Sequence, residues 1–318
     1  MENDRRKFIA VRRGEGARKL SKALLAVAVL AVLFLAGCRS EAQNPAADAG
    51  PERRMTDDLG RRVKLPERVE RAVSLAPNLT EIVFAVGAGD RLVGRTSFDN
   101  YPPEAERVPT VGDTMNPNIE SIIAAKPQVV LVSTASQIET FTKTLESQGI
   151  TVFVTNPTSL EEIYQSIEKI GQIFDRKGKA AELVDDLKKR VAAVAGKSRG
   201  ASPVRVFVQI DKASLYTVGR DSFITDLVEK AGGVSVTNDV ETAYPKISKE
   251  TALALKPEAM ILSESPGNDE PNEIFKNSPA VREGRVYKID ADILSRPGPR
   301  VVDALEQIAE ALGSGRKQ

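Results

Sequence analysis

The chain has 318 residues, 41% of them hydrophobic and 28% charged, the composition of a globular protein of about two ordinary domains. Its net charge is +1, but residues 1–37 hold eight Lys/Arg against three Asp/Glu, so residues 38–318 carry −4; such a mildly acidic body argues against a nucleic-acid binder, which needs a basic face. There is no His and one Cys, Cys38, which removes Ser-His-Asp and Cys-His nucleophiles and His-ligated zinc or haem, while carboxylate and Lys chemistry stay open.

Residues 1–22 are polar and basic, and Ala23 to Gly37 is an uncharged apolar run of 15 residues that meets Cys38 directly. A spanning helix needs about 20 apolar residues and a signal peptide only roughly 7–15. Leu35-Ala36-Gly37-Cys38 therefore reads as a lipobox, in which small residues admit a peptidase that cuts before a lipid-modified Cys38. The alternative is an uncleaved anchor helix with an incidental Cys. Both export the rest of the chain, and a lone thiol outside the cytoplasm fits lipidation. Residues 38–54 have the composition of a disordered tether.

Ordered structure is expected from about Met55, with a hairpin turning at Asp58-Leu59-Gly60. Ala72–Leu75 reads as a strand, Asn78 as a helix cap, Thr80–Val86 as a helix closed by Gly87, and Leu92–Gly94 as a second strand. Gly87-Ala88-Gly89-Asp90 follows a helix instead of joining a strand to one, so it lacks dinucleotide-binding mechanics.

Asn118-Ile119-Glu120 then opens a stretch, running to Ser133, that returns 130 positions later as Ser248-Lys249-Glu250 to Ser263. In both copies a Glu begins a short helix, Lys-Pro stops it, and an apolar run suited to a buried parallel strand ends in Ser. Proline is expected to push Lys126 and Lys256 into extended geometry. A helix over Ile138–Gln148 and a strand over Thr151–Val154 follow. From Ser159 to Lys197 the apolar spacing is helical throughout, with Gly178 as the expected break between two joined helices. The second half repeats the order: strand Val204–Ile210, helix Ser222–Ala231, the Lys-Pro unit, strand Arg285–Ile289 and a last helix over Arg300–Leu312. The expected fold class is α/β: two Rossmann-like lobes with parallel sheets, residues 55–172 and 200–318, joined by a long rigid helix over 173–199.

The ordered set of Thr56-Asp57-Asp58-Leu59-Gly60-Arg61, Val73-Ser74-Leu75-Ala76-Pro77-Asn78-Leu79-Thr80-Glu81, Ser97-Phe98-Asp99-Asn100-Tyr101-Pro102-Pro103, both Lys-Pro units and Pro297-Gly298-Pro299-Arg300 resembles the substrate-binding lipoproteins of ABC importers. The likeness covers about residues 55–318. It is to the class with the class III periplasmic-binding-protein fold, whose two lobes share one rigid helix and hold cobalamin or ferric siderophores. The resemblance implies a lipid-anchored receptor, periplasmic or cell-surface, monomeric, without a cofactor of its own, whose partners are an ABC permease with its ATPase and a small-molecule metal chelate. Tyr101 matches a Tyr-Pro-Pro loop that lies against the corrin in cobalamin-binding members. Tyr244 stands where such members carry Trp, and Thr114 and Thr134 stand near two further aromatic positions, so the aromatic cage is thinner here. Glu120 and Glu250 match the acids that dock onto permease arginines; their alternative role is to favour a helix start through the helix dipole.

The remaining candidates are weighed residue by residue. Phe98 and Tyr101 share a loop, and Tyr101 either lines a cleft or edges a core. Ser133 and Thr134 follow the carboxyl end of a strand, where α/β sheets collect ligands, and either contact a ligand or cap the next helix. Ser263 is their second-lobe counterpart, and Arg296 is suited to an acidic ligand group. The rival class is an exported two-domain enzyme, a transferase or carboxylate-based hydrolase, against which no Asp/Glu pair stands beside nucleophile or phosphate machinery. Without His, haem cannot be held by His ligation, which leaves a Tyr ligand open, and a bare zinc or manganese ion is disfavoured.

Overall fold

A computed structural model describes residues 53–133, 138–198, 200 and 202–314. The export signal, Cys38, the tether up to residue 52 and Thr134 lie outside the described residues. The first strand, β1 (Arg53–Thr56), pairs antiparallel with β2 (Arg62–Leu65) around Gly60, whose φ of 75° suits a residue without a Cβ. β1 starts two residues before the expected Met55 because the Arg53 guanidinium is tied down, donating 2.8 Å to the Gln172 carbonyl and pairing with Asp175 at 2.9 Å.

Two four-stranded parallel sheets follow. In the N-terminal lobe β3 (Ala72–Ser74), β4 (Leu92–Gly94), β5 (Val129–Ser133) and β6 (Thr151–Thr155) lie in the order β4-β3-β5-β6. In the C-terminal lobe β7 (Val204–Gln209), β8 (Gly233–Ser235), β9 (Ala259–Glu264) and β10 (Val286–Asp290) lie in the order β8-β7-β9-β10. The two orders are equivalent strand for strand, so the expected duplicated α/β architecture is what the chain adopts. β8 was not expected; it begins at Gly233, in the Gly232-Gly233 pair that follows a helix end.

The helices are α1 (Pro77–Ala85), α2 (Ile119–Ala124), α3 (Ile138–Ser147), α4 (Leu160–Ile173), α5 (Lys177–Ser198), α6 (Phe223–Lys230), α7 (Lys249–Leu255), α8 (Pro279–Arg282), α9 (Ala291–Leu294) and α10 (Val301–Ser314). Three local readings are corrected. Pro77 takes the first helical position of α1, so the cap falls on Ala76, and Asn78 lies inside the helix with its amide donating 3.3 Å to the Pro297 carbonyl. The break between α4 and α5 falls at Asp175, φ 58°, while Gly178 is inside α5. Lys126 and Lys256, expected to be extended, are left-handed at φ 47° and 44°. Each reverses the chain in one residue between a helix and a buried strand, a conformation costing about 1–2 kcal/mol for a residue with a Cβ.

Burial explains why the lobes hold together. One apolar cluster includes Leu79 and Ile82 of α1, Ile163 and Ile167 of α4, Val184 and Leu187 of α5, Ile224 and Leu227 of α6, and Leu305 and Ile308 of α10, all almost fully buried. It crosses from one lobe to the other along α5. The opposite sheet faces carry separate clusters, one around Val130, Val132 and Ile122, the other around Phe207, Met260 and Phe275.

Candidate functional site

In both sheets the candidate residues follow the carboxyl ends of strands, the end at which open parallel sheets bind ligands. The loop after β4 is anchored by Asp99, fully buried, which accepts from the Thr80 hydroxyl at 2.5 Å, from the Thr96 N–H at 3.2 Å and from the Thr96 hydroxyl. Burial pushes the Asp99 carboxyl above its ordinary value, and these hydrogen bonds pull against that shift. With its base fixed, the loop holds out Phe98, 54% exposed, and Tyr101, 43% exposed. A second loop turns at Gly112, φ 105°, where a Cβ would lie 2.6 Å from the Asn116 carbonyl oxygen. There Asp113 accepts from the Met115 and Asn116 N–H groups at 2.7 and 2.6 Å, which presents Thr114 half-buried and Met115 exposed.

The C-terminal lobe answers with two tyrosines. Tyr216, on the loop after β7, forms isolated backbone bridges to Asp211 and Lys246, and Tyr244 lies on the loop after β8; they are 41% and 40% exposed. The Tyr244 loop rests on Gly219, whose N–H donates 3.0 Å to the Ala243 carbonyl and where a Cβ would lie 2.0 Å from the Thr242 oxygen. Burial of its hydroxyl end raises the Tyr244 phenol above its ordinary value, with a Ser222 hydrogen bond opposing.

Between the lobes lies a tie of charged side chains. The Glu81 carboxylate of α1, 2% exposed, accepts from Arg300 Nε at 3.0 Å and Nη2 at 2.6 Å, and from Arg296 Nη1 at 3.2 Å. Arg296 also donates 2.7 Å to Asn100 Oδ1 and 3.2 Å to the Phe98 carbonyl, and pairs with Asp292 at 2.6 Å. Asn100 donates 2.8 Å to Asp292 in turn. The Arg300 guanidinium, clamped by Glu81, stacks 4.1 Å from the Tyr101 ring centroid, so a cation of one lobe supports an aromatic platform of the other.

The structure thus brings Phe98, Tyr101 and Arg296 to one junction and puts Thr114 and Tyr244 on loops built to project them. Ser133 is half-buried at the end of β5, whereas Ser263 is 3% exposed with its hydroxyl 3.1 Å from that of Ser295. Met115, Tyr216, Glu81 and Arg300 were missed by sequence reasoning. Glu81 and Arg300 stood within the motifs of the resemblance without being named as site residues, and Glu81 is the one charge of an otherwise uncharged short helix.

Glu120 and Glu250 occupy the same place in the two lobes. Each lies in the first turn of a short helix capped by a side chain: Asn118 Oδ1 accepts the Ser121 N–H at 2.9 Å, and Ser248 Oγ accepts the Thr251 N–H at 3.1 Å. Both acids are exposed and have no ion pair among the described residues. The Glu250 N–H, the Ser248 hydroxyl and Lys249 hold the Glu250 carboxyl below its ordinary value.

Comparison with known proteins places these features in a family. The profile described as "Periplasmic binding protein" matches residues 73–293. An uncharacterized ABC transporter substrate-binding lipoprotein of Bacillus subtilis, YvrC, is 32% identical over 301 residues, covering 90% of this chain and 95% of that protein. The crystal structure of the periplasmic vitamin B12 binding protein BtuF of Vibrio cholerae superposes with a TM-score of 0.69 at 28% identity, over 79% of this chain and 99% of its own. The periplasmic heme-binding protein RhuT of Roseiflexus sp. RS-1, in apo form, gives 0.67 at 26% identity, over 76% and 97%.

Proposed function

This chain belongs to the periplasmic binding protein family, and on that premise we propose that its inter-lobe cleft captures a bulky metal chelate, a corrinoid first and a ferric siderophore second. The chain is an extracytoplasmic substrate-binding component of an ABC importer, and the relatives it resembles are solute-binding proteins. The observation that carries the ligand reading is the set of exposed rings, Phe98, Tyr101, Tyr216 and Tyr244, held on loops of both lobes. Rings held out beyond the carboxyl ends of strands in both lobes suit a wide, flat, largely apolar ligand. Thr114, Thr134 and Ser133 would meet its polar periphery; Ser263 and Arg296, already bonded within the protein, are the weakest of the proposed contacts.

The state of Arg296 orders the ligands. An anionic siderophore needs a cation to meet it, and Arg296 is engaged by Glu81, Asp292, Asn100 and the Phe98 carbonyl. That favours a ligand without excess negative charge. Haem is the third reading, since a chain without His would have to supply an axial ligand from another side chain such as Tyr. Purified protein titrated with cobalamin, ferric siderophores and haem, followed by calorimetry and absorbance, is expected to bind cobalamin at one per chain and to lose at least tenfold in affinity as Tyr101→Ala. Absence of binding to all three, or turnover of a substrate, would overturn the reading.

Glu120 and Glu250 are proposed to dock on cationic side chains of the permease, one per lobe, and Cys38 to carry the lipid that keeps the receptor at the membrane. Reversing both acids to Arg is expected to stop uptake and leave ligand affinity unchanged. Normal uptake by that variant would rule out docking through them.

A further inference from the structure

The duplication of the lobes extends to a pair of acids. Thr80-Glu81-Ile82-Val83 in α1 and Thr225-Asp226-Leu227-Val228 in α6 follow β3 and β7, equivalent strands of the two sheets. Each helix gives way to a glycine at positive φ, Gly87 at 75° and Gly232 at 88°. Each acid crosses to the other lobe at an equivalent place, the start of the 14-residue helix that follows the last strand. Glu81 meets Arg300, which precedes α10, and Asp226 Oδ2 accepts the Leu160 N–H, the first of α4, at 3.0 Å. The two contacts differ in strength. Glu81 is sealed between two guanidiniums, whereas Asp226 is 27% exposed, takes one N–H from the other lobe and pairs with Lys230 of its own helix at 3.3 Å.

Where Arg300 stands before α10, Ser159 stands before α4, and its hydroxyl turns to its own lobe, accepting the Glu162 N–H at 3.3 Å. A cavity of about 470 Å³ is left among α4, α5 and α6, lined by Leu160, Tyr164 and Val191 and by the charged side chains of Lys188, Asp226 and Lys230. Tyr164 is 4% exposed, and its hydroxyl has no hydrogen-bond partner, so it bears the desolvation of a polar group with nothing in return. Burial, and after it the charges of Glu161 and Asp226, push the phenol up to about 12, so at neutral pH it is a donor in the field of two carboxylates.

We propose that Asp226 is the second pin between the lobes, the counterpart of Glu81, with two positions: on the Leu160 N–H in this structure, and on the Tyr164 hydroxyl when the lobes part. The Glu81 end, with its charge-assisted bonds, is then the pivot, the Asp226 end is the side that gives, and the cavity supplies the room. The move costs little, because the phenol gains an acceptor while the Leu160 N–H passes to water, as first-turn amides of helices do. Asp226 is in this sense a positioning residue of the cleft, and its role is independent of which ligand the cleft holds.

The test is amide hydrogen exchange of the full receptor chain without ligand, resolved to single residues. Leu160 is compared with Glu162, whose N–H is capped within its own lobe. Tyr164→Phe removes the waiting partner and should slow exchange at Leu160 by about threefold or more; Asp226→Ala removes the pin and should speed it by about tenfold or more. Glu162 should stay within about twofold of the parent in both variants. A smaller slowing in Tyr164→Phe, or acceleration, would overturn the second position. Equal acceleration of Leu160 and Glu162 in Asp226→Ala would mean that α4 merely frays without a cap, and the pin would fall. Because no ligand is present, failure of the chelate reading shows separately, as absent binding with the exchange pattern intact.

Discussion

Glu81 is the side chain on which the most depends. It is almost fully buried, and its two oxygens accept from two guanidiniums that come from the far end of the sequence, Arg296 and Arg300. Removing one member of such a buried set leaves the others desolvated and under-partnered, which typically costs about 3–5 kcal/mol. Glu81→Ala should accordingly lower the free energy of unfolding by about 3 kcal/mol in urea titrations, at the low end because Arg296 keeps Asp292. It should also free Arg300 from its place beneath Tyr101, so ligand affinity falls even though Glu81 itself is buried beneath the platform. The sequence marked the residues but not their pairing. Glu81 and Arg300 are 219 positions apart, and no periodicity reports a contact between them. What sequence reasoning could reach was the local half of the site, the loop residues Phe98 and Tyr101, because a Tyr-Pro-Pro turn leaves an aromatic without an apolar face to join.

At the level of elements, α5 and α10 are fastened by Arg190, which pairs with Asp303 at 2.6 Å and Glu306 at 2.7 Å. The Arg190 hydrogen bond holds the Glu306 carboxyl below its ordinary value of 4.5. Its contribution to stability is therefore complete above the unfolded carboxylate range and is lost as pH falls through the lower folded value. Glu306 is 44% exposed, so screening leaves the pair worth about 0.5–1 kcal/mol. Glu306→Gln should be less stable than the parent by that amount at pH 7, and the two should converge in chemical denaturation as pH is lowered below about 4. The elements themselves were largely readable, since apolar spacing and Lys-Pro stops placed most helices and strands. The misreadings share one cause: Asn78, Asp175 and the two lysines before proline adopt conformations set by what the chain must do next. Ala76 ends up as an unassisted cap because Pro77 suits the first helical position, and Lys126 and Lys256 turn left-handed because a buried strand begins three residues later.

For the whole molecule, the duplicated repeat foretold two lobes, but the extent to which they share one interior was hidden. The cluster running through α1, α4, α5, α6 and α10 belongs to neither lobe alone. Neither half can unfold without exposing the apolar face of the other, so calorimetry should show a single transition with equal calorimetric and van't Hoff enthalpies. Two resolved transitions would mean that the lobes are separately stable.

The tie from Glu81 to Arg296 and Arg300 has a kinetic side as well. Lobes joined both by a common interior and by side chains across their mouth are ordered before any ligand arrives, so the entropy of bringing them together is lost in folding and not in capture. Binding to such a receptor should be quick and its radius of gyration in solution nearly unchanged by cobalamin. Dissociation is then the slow step, and the force that parts the lobes has to come from outside the receptor.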